Sequence, residues 1–219
     1  MSRQVFDDIY RLNLWGNQES RSGHGSSLVS TEALRRELPA ILRRFGIRTM
    51  LDAGCGDCNW ISRIDLDLDR YIGADIVGAL VEANRQRKWT NAGYEREFLV
   101  LDIARERVPK VDLVFCRHCL IHLPSADILK SLENIRQSGS KYLMATTVPS
   151  CTVNRDVLAG GFRELNLQLA PFFLPEPLAK INDVVVIGGE PRADGWLYLW
   201  RISDLPVNGF RPGADGSVR

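Results

Sequence analysis

Histidine is scarce in this 219-residue chain, with three in all, and neither sign of charge dominates: 28 Lys and Arg stand against 27 Asp and Glu, a net charge of +1. That balance gives no bulk electrostatic case for nucleic acid or an anionic membrane as partner. The arginine pairs Arg35-Arg36 and Arg43-Arg44 read as the solvated face of a helix. No uncharged apolar run approaches the ~18 residues that cross a bilayer, and residues 1–16 hold no apolar stretch of signal-peptide length. Five cysteines, an odd number, do not make a disulfide framework without an export signal. The expectation is a cytoplasmic protein with reduced thiols and no membrane partner. There is no internal repeat. Low complexity is confined to residues 205–219, a Gly-rich tail expected to fray. What remains, 45% hydrophobic and 25% charged, is ordinary for a globular chain long enough to core one domain.

Apolar periodicity supplies the elements. Leu34, Leu38, Ile41, Leu42 and Phe45 fall on one helical face over residues 31–45, and Gly46 ends it. Short apolar runs then end in acids at Asp52, Asp75 and Asp102, and a fourth run spans 111–116. Residues 77–89 and 124–137 read as helices, and 141–147 as a fifth strand. Strands alternating with helices predict a parallel sheet covered on both faces. Residues 183–187 and 196–202 read as two further strands joined as a hairpin, one of them antiparallel at the sheet edge. The fold class expected is α/β, a Rossmann-like, mostly parallel sheet with an antiparallel C-terminal hairpin. The chain is divided into an N-terminal segment (1–30), a core (31–147), an insertion (148–182), the hairpin (183–204) and the tail.

Two Cys-x-x-Cys pairs stand out: Cys55–Cys58 after the first strand and Cys116–Cys119 after the fourth. Four thiolates could close a structural zinc site and make the chain a metal-stapled binding module. In an open α/β sheet, however, both pairs flank the crevice at the strands' carboxyl ends, where a ligand binds. A zinc ion there would fill the pocket it supports, so the cysteines are expected to be packing thiols. Gly54 and Gly56 let the backbone turn tightly there. A dinucleotide fingerprint wants a third small residue, where this chain has Asn59 followed by Trp60. That disfavours a nicotinamide-dependent oxidoreductase. A loop without a phosphate cradle, flanked by carboxylates, suits a nucleoside ligand carrying positive charge.

The motifs Leu51-Asp-Ala-Gly-Cys-Gly56, Tyr71-Ile-Gly-Ala-Asp75-Ile76, Leu101-Asp102-Ile103 and Asp112-Leu-Val-Phe-Cys-Arg117 resemble those of class I S-adenosylmethionine-dependent methyltransferases. The resemblance implies a seven-stranded sheet with an antiparallel last hairpin and S-adenosyl-L-methionine as cofactor. It implies that Asp52, Gly54 and Gly56 line the methionine end, Asp75 binds the ribose, Ile76 and Ile103 flank the adenine, Asp102 accepts from its amino group, and Arg117 borders the sulfonium. Any one strand-terminal aspartate also reads as a turn cap.

The polar, Gly-rich segment before the first helix carries Trp15, Gly23 and His24. It is expected to fold over the site as a lid, with Trp15 and Gly23 at the cofactor and His24 at the acceptor; the alternative is a flexible leader. A hydroxyl acceptor must lose its proton as it attacks, which calls for a base. His118 and His122 lie where the methyl group should be, with His118 the first choice and core or capping duty the competing reading. A histidine at position 118 also leaves room for a divalent cation such as magnesium. In the insertion, Asn154, Arg155, Arg163 and Asn166 among Phe162, Phe172 and Phe173 suit a polyhydroxylated or saccharide acceptor, similar to sugar O-methyltransferases of actinobacterial type. Loop closure by Arg163 and Asn166 is the other reading. The expected function is O-methyl transfer to such an acceptor, the alternative N-methyl transfer to a small amine.

Overall fold

The computed structural model describes residues 2–89, 93–192 and 195–206. Helix α1 (Ser2–Leu12) precedes an irregular segment, and α2 (Glu32–Arg44) leads into β1 (Thr49–Ala53). Then follow β2 (Arg70–Asp75), α3 (Gly78–Gln86), β3 (Glu95–Val100), β4 (Leu113–Cys116), α4 (Ser125–Gln137) and β5 (Tyr142–Thr147). The chain closes with β6 (Ala179–Asn182), β7 (Val185–Ile187), β8 (Glu190–Arg192) and β9 (Trp196–Arg201). Among these elements, none of the helices is long and apolar enough to cross a membrane.

Seven strands form one sheet in the order β3-β2-β1-β4-β5-β9-β6. Its strands are near-continuous apolar runs because both faces are covered. Leu51, Val114 and Cys116 point to the face where α4 buries Ile128, Leu132 and Ile135. Met50, Leu113 and Phe115 point the other way, onto Leu34, Leu38 and Leu42 of α2. Fully burying a leucine is worth roughly 1.5–3 kcal/mol, so the stripe expected on α2 fixes that helix to the sheet.

The terminal hairpin differs from expectation in detail. Strand β9 is antiparallel to both neighbours, but it sits between β5 and β6 and not at the edge. Its partner is the short β6, with Ile181 opposite Leu197. The Val-rich run expected to pair with it forms instead a separate two-stranded ribbon, β7–β8. Of the tail, Leu205 is buried in the core; residues 207–219 lie outside the described residues. No helix or strand occupies residues 148–178, which turn back over the carboxyl end of β5.

Candidate active site

Strand order reverses between β1 and β4, which opens a crevice at their carboxyl ends. A cavity of about 340 Å³ lies there, within the range of small-molecule sites. The loop after β1 is built by backbone geometry. Gly54 and Gly56 take φ values of +77° and +56°, which side chains rarely tolerate. The amides of Gly54 and Cys55 both donate to the Ala74 carbonyl, at 2.8 and 3.0 Å. Gly56 N–H donates to Asp75 Oδ2 at 3.0 Å, and Asn84 Nδ2 donates to the Gly56 carbonyl at 2.6 Å. Burial raises the Asp75 carboxyl, against the amides of Val77, Gly56 and Ile76 that lower it.

Ile76, Leu80, Leu101 and Ile103 add apolar walls, and Asp102 stands at the rim. The Asp102 carboxylate accepts from Ala104 N–H and the Arg105 guanidinium, both at 3.0 Å; Arg105 also reaches Asp127 at 3.2 Å. Asp52 is not at the cavity wall. It is buried beneath the loop, where it accepts the Tyr71 hydroxyl at 2.7 Å. Burial pushes its carboxyl up to about 7, against the lowering effects of Tyr71 and Arg117.

Beyond β4 the chain turns sharply. Arg117 folds inward, its side chain 4% exposed, and makes three hydrogen bonds of 2.8–3.0 Å to Asp183. Its guanidinium also lies over Trp60, 5.6 Å from the ring centre. His118 has φ +50°, and its N–H donates to Thr146 Oγ1 at 2.8 Å. Its Nε2 is 3.3 Å from Asp183 Oδ2. Burial, then Arg117, lower the imidazole below its ordinary value. His122, in the 3-10 turn Leu120–His122, donates from Nδ1 to the Gly161 carbonyl at 2.9 Å. Burial pushes it down to about 4. Both rings are therefore neutral near pH 7.

The N-terminal segment covers this arrangement. Trp15, Gly23 and His24 line the cavity, with Phe6, Ile9 and Tyr10 of α1. Asp57 in the glycine loop accepts from Ser20 Oγ at 2.9 Å and Arg21 N–H at 3.0 Å, and its own N–H donates to Ser22 Oγ at 2.9 Å. Asn59, where a dinucleotide loop would have a small residue, donates to Glu19 at 2.7 Å and to the Ser26 carbonyl at 3.0 Å. On the far side Val186 N–H donates to Ser30 Oγ at 2.9 Å.

Residues 50–139 match the family described as "Methyltransferase domain". Over that stretch the chain is similar to this family. Solved structures of similar fold include magnesium protoporphyrin IX methyltransferase from Synechocystis PCC 6803 with bound SAM, at 14% identity and TM-score 0.63, covering 92% of this chain and 97% of that one. The N-methyltransferase NodS from Bradyrhizobium japonicum WM9, in complex with S-adenosyl-l-homocysteine, matches at 14% identity and TM-score 0.57, covering 89% and 98%. The 1,6-didemethyltoxoflavin-N1-methyltransferase of Burkholderia thailandensis matches at 15% and 0.58, covering 91% and 86%. At such identity the likeness establishes the fold. No curated protein sequence matches the chain.

The cavity fits S-adenosylmethionine by its donor set: carboxylates at two strand ends, an apolar slot between them, and a loop without a phosphate cradle. Among the described residues no three His, Cys, Asp or Glu side chains converge as a ligand group. All five cysteines are free thiols, and Cys55, Cys58 and Cys116 are buried in packing. Burial pushes Cys119 up to about 12, and a side chain at Gly54 would meet its Cβ at 2.9 Å.

The four polar residues expected at the acceptor are not at the cavity. Asn154 Nδ2 donates to the carbonyls of Asn166 and Ala170, and Asn166 N–H returns to Asn154 Oδ1, each at 2.8 Å. Arg163, its side chain 3% exposed, donates to the carbonyls of Leu123 at 2.7 Å and Arg155 at 2.8 Å. A loop of this length without regular structure must satisfy its carbonyls somehow, and these side chains do so. Phe162 alone of that neighbourhood reaches the cavity. Sequence reasoning missed Asp183, Asp57 and the α1 wall. Phe6, Ile9 and Tyr10 follow an i, i+3, i+4 pattern that would have revealed α1; nothing local marks Asp183.

Proposed function

We propose that this protein transfers a methyl group from S-adenosylmethionine to a hydroxyl of a small molecule, with His118 as general base. The observation that carries this reading is a neutral imidazole on the cavity wall, at the carboxyl edge of β4 and next to the glycine loop. Asp75 would hold the ribose, Ile76 and Ile103 the adenine, Asp102 its amino group, and Gly54 and Gly56 the methionine end. When bound, S-adenosylmethionine supplies an electrophilic methyl: the acceptor oxygen–carbon bond forms, the sulfur–carbon bond breaks, and its electron pair stays on sulfur. His118 takes the hydroxyl proton and later returns it to solvent, a contribution of about 10²–10⁴-fold. Residues 13–30 act as a lid that excludes water and aligns the reactants.

The saccharide reading loses its support, because the polar residues that suggested it tie the 148–178 loop together. The cavity walls include Trp15, Ile121, Leu123 and Phe162, with Trp15 and Phe162 packed against His122 at ring distances of 4.8 and 6.3 Å, and they suit a hydroxylated acceptor with an apolar body.

Calorimetric titration with S-adenosylhomocysteine and with NAD tests the cofactor; binding of the second alone would refute the reading. Screening hydroxylated and amine acceptors with methyl-labelled cofactor tests the rest. The expected result is label on a hydroxyl, lost in His118→Ala while S-adenosylhomocysteine still binds. Label on an amine, unaffected by that substitution, would instead establish N-methyl transfer.

A further inference from the structure

We infer that Asp183 is a positioning residue: it holds the Nε2 hydrogen of His118 and leaves Nδ1 as the lone pair that takes the acceptor proton. The inference rests on His118 being the base, and it adds what decides which ring nitrogen acts.

The argument begins with burial. The Asp183 side chain is wholly inaccessible, and a carboxylate survives there only with full partners. Arg117 supplies them, through three hydrogen bonds shared between both oxygens. The Arg117 charge and the nearby His118 hold Asp183 ionised, well below the usual carboxylate range. The third partner within reach is His118 Nε2, 3.3 Å from Oδ2. An ionised carboxylate only accepts, so the nitrogen facing it must carry the hydrogen. In a neutral ring the other nitrogen then has the lone pair.

That other nitrogen faces the N-terminal segment at Gly25. A side chain there would place its Cβ 2.4 Å from Nδ1, so only glycine lets the segment pack this closely against that edge of the ring. Both Gly25 and His118 line the cavity. The backbone at His118 is pinned as well, through Thr146. Asp183 is itself placed by β6 and β9, its N–H donating to the Gly195 carbonyl at 2.8 Å. The charged and titratable groups around the ring are Arg117 beside it, Asp183 from the β6–β7 junction, His122 from the next turn and His24 beside Gly25. Arg117 disfavours the imidazolium and Asp183 favours it. During transfer the proton moves from the acceptor oxygen to Nδ1, and the imidazolium that forms is stabilised by the carboxylate behind it. Arg117 keeps Asp183 from taking the proton.

The test uses the full chain with ¹⁵N-labelled histidine, bound to S-adenosylhomocysteine, and the imidazole resonance of His118 identified by its loss in His118→Gln. In the wild-type protein Nε2 should be protonated and Nδ1 bare. Asp183→Asn keeps the shape and a bond to Arg117 but removes the anion. It should lower the His118 titration midpoint by about one pH unit or more and mix the tautomers, with S-adenosylhomocysteine affinity within about threefold. A purely structural Asp183 would change stability without moving that midpoint. An Nδ1–H tautomer in the wild type, or an unmoved midpoint in folded Asp183→Asn, overturns the inference. If Asp183→Asn does not fold, the wild-type tautomer decides alone. Failure to bind S-adenosylhomocysteine, with Nε2–H intact, would overturn the methyl-transfer reading and leave the Asp183–His118 pair standing.

Discussion

Trp15 stacks on His122 with ring centroids 4.8 Å apart and planes inclined by 26°. One residue belongs to the N-terminal segment and the other to the turn after β4, so this contact joins cover to floor. Aromatic pairs of this kind contribute about 0.5–1.5 kcal/mol beyond the area they bury. Trp15→Ala should therefore lower the thermal midpoint by a few degrees, on the order of 2–5 °C. If the segment closes on the cofactor, affinity for S-adenosylhomocysteine should fall about tenfold, equivalent to ~1.4 kcal/mol. Calorimetry on the variant decides; unchanged affinity would leave the segment a structural cover.

His122 makes stability depend on pH with a definite sign. Its folded value is pushed down to about 4 from an ordinary 6.5. The unfolded chain thus binds the proton first, and the contribution is full above pH 6.5 and lost as pH falls toward 4. Asp52 titrates in the same window with opposite sign, so the comparison must be between variants. His122→Gln should gain roughly 2–3 kcal/mol relative to wild type on going from pH 7 to pH 4, measured by urea unfolding. A pH-independent difference would show that the ring is more accessible than its packing implies.

Much of this was written locally. The helical stripe of α2 and the acids ending β1 and β2 are read from neighbouring residues, because periodicity and strand ends are short-range properties. Residues 185–187 look more like a sheet strand than Ala179–Asn182 does, yet β6 is the latter. What selects it is register against β9, with Ile181 opposite Leu197, a tertiary preference that overrides composition. The same holds for Asp183. It becomes a site residue only through Arg117, 66 positions earlier, and no spacing rule connects them. Arg163 and Asn166 misled for the converse reason: hydrogen-bonding capacity is visible in a sequence, but whether it faces a ligand or the loop's own carbonyls is not.

Asp57 is the point where the glycine loop holds the N-terminal segment, through Ser20 and the backbone of Arg21. Hydrogen bonds to a charged acceptor contribute about 1.5–3 kcal/mol each when buried, less when part-exposed as here. Asp57→Ala should raise the rate of limited proteolysis within residues 13–30 by an order of magnitude or more, since cleavage follows the open population. S-adenosylhomocysteine should restore protection if closure and cofactor binding are coupled. Identical cleavage of variant and wild type would mean that Asn59 and Glu19 suffice to hold the segment.

Asp52 separates a structural from a cofactor role for the first strand's aspartate. It lies under the loop, bonded to Tyr71, and its carboxyl is pushed up to about 7 by burial. A raised folded value means that the native state retains a proton the unfolded chain has already released. Stability therefore declines as pH rises from the ordinary 3.8 toward 7 and stays reduced above it. Asp52→Asn removes that dependence while an amide oxygen still accepts from Tyr71. It should be more stable than wild type at pH 8, by about 1–3 kcal/mol, and no different near pH 4. Its affinity for S-adenosylhomocysteine should change less than threefold, because Asp52 does not reach the cavity. A loss of tenfold or more, with stability unchanged, would return Asp52 to the cofactor site and make its charge, not its burial, the reason it ends β1.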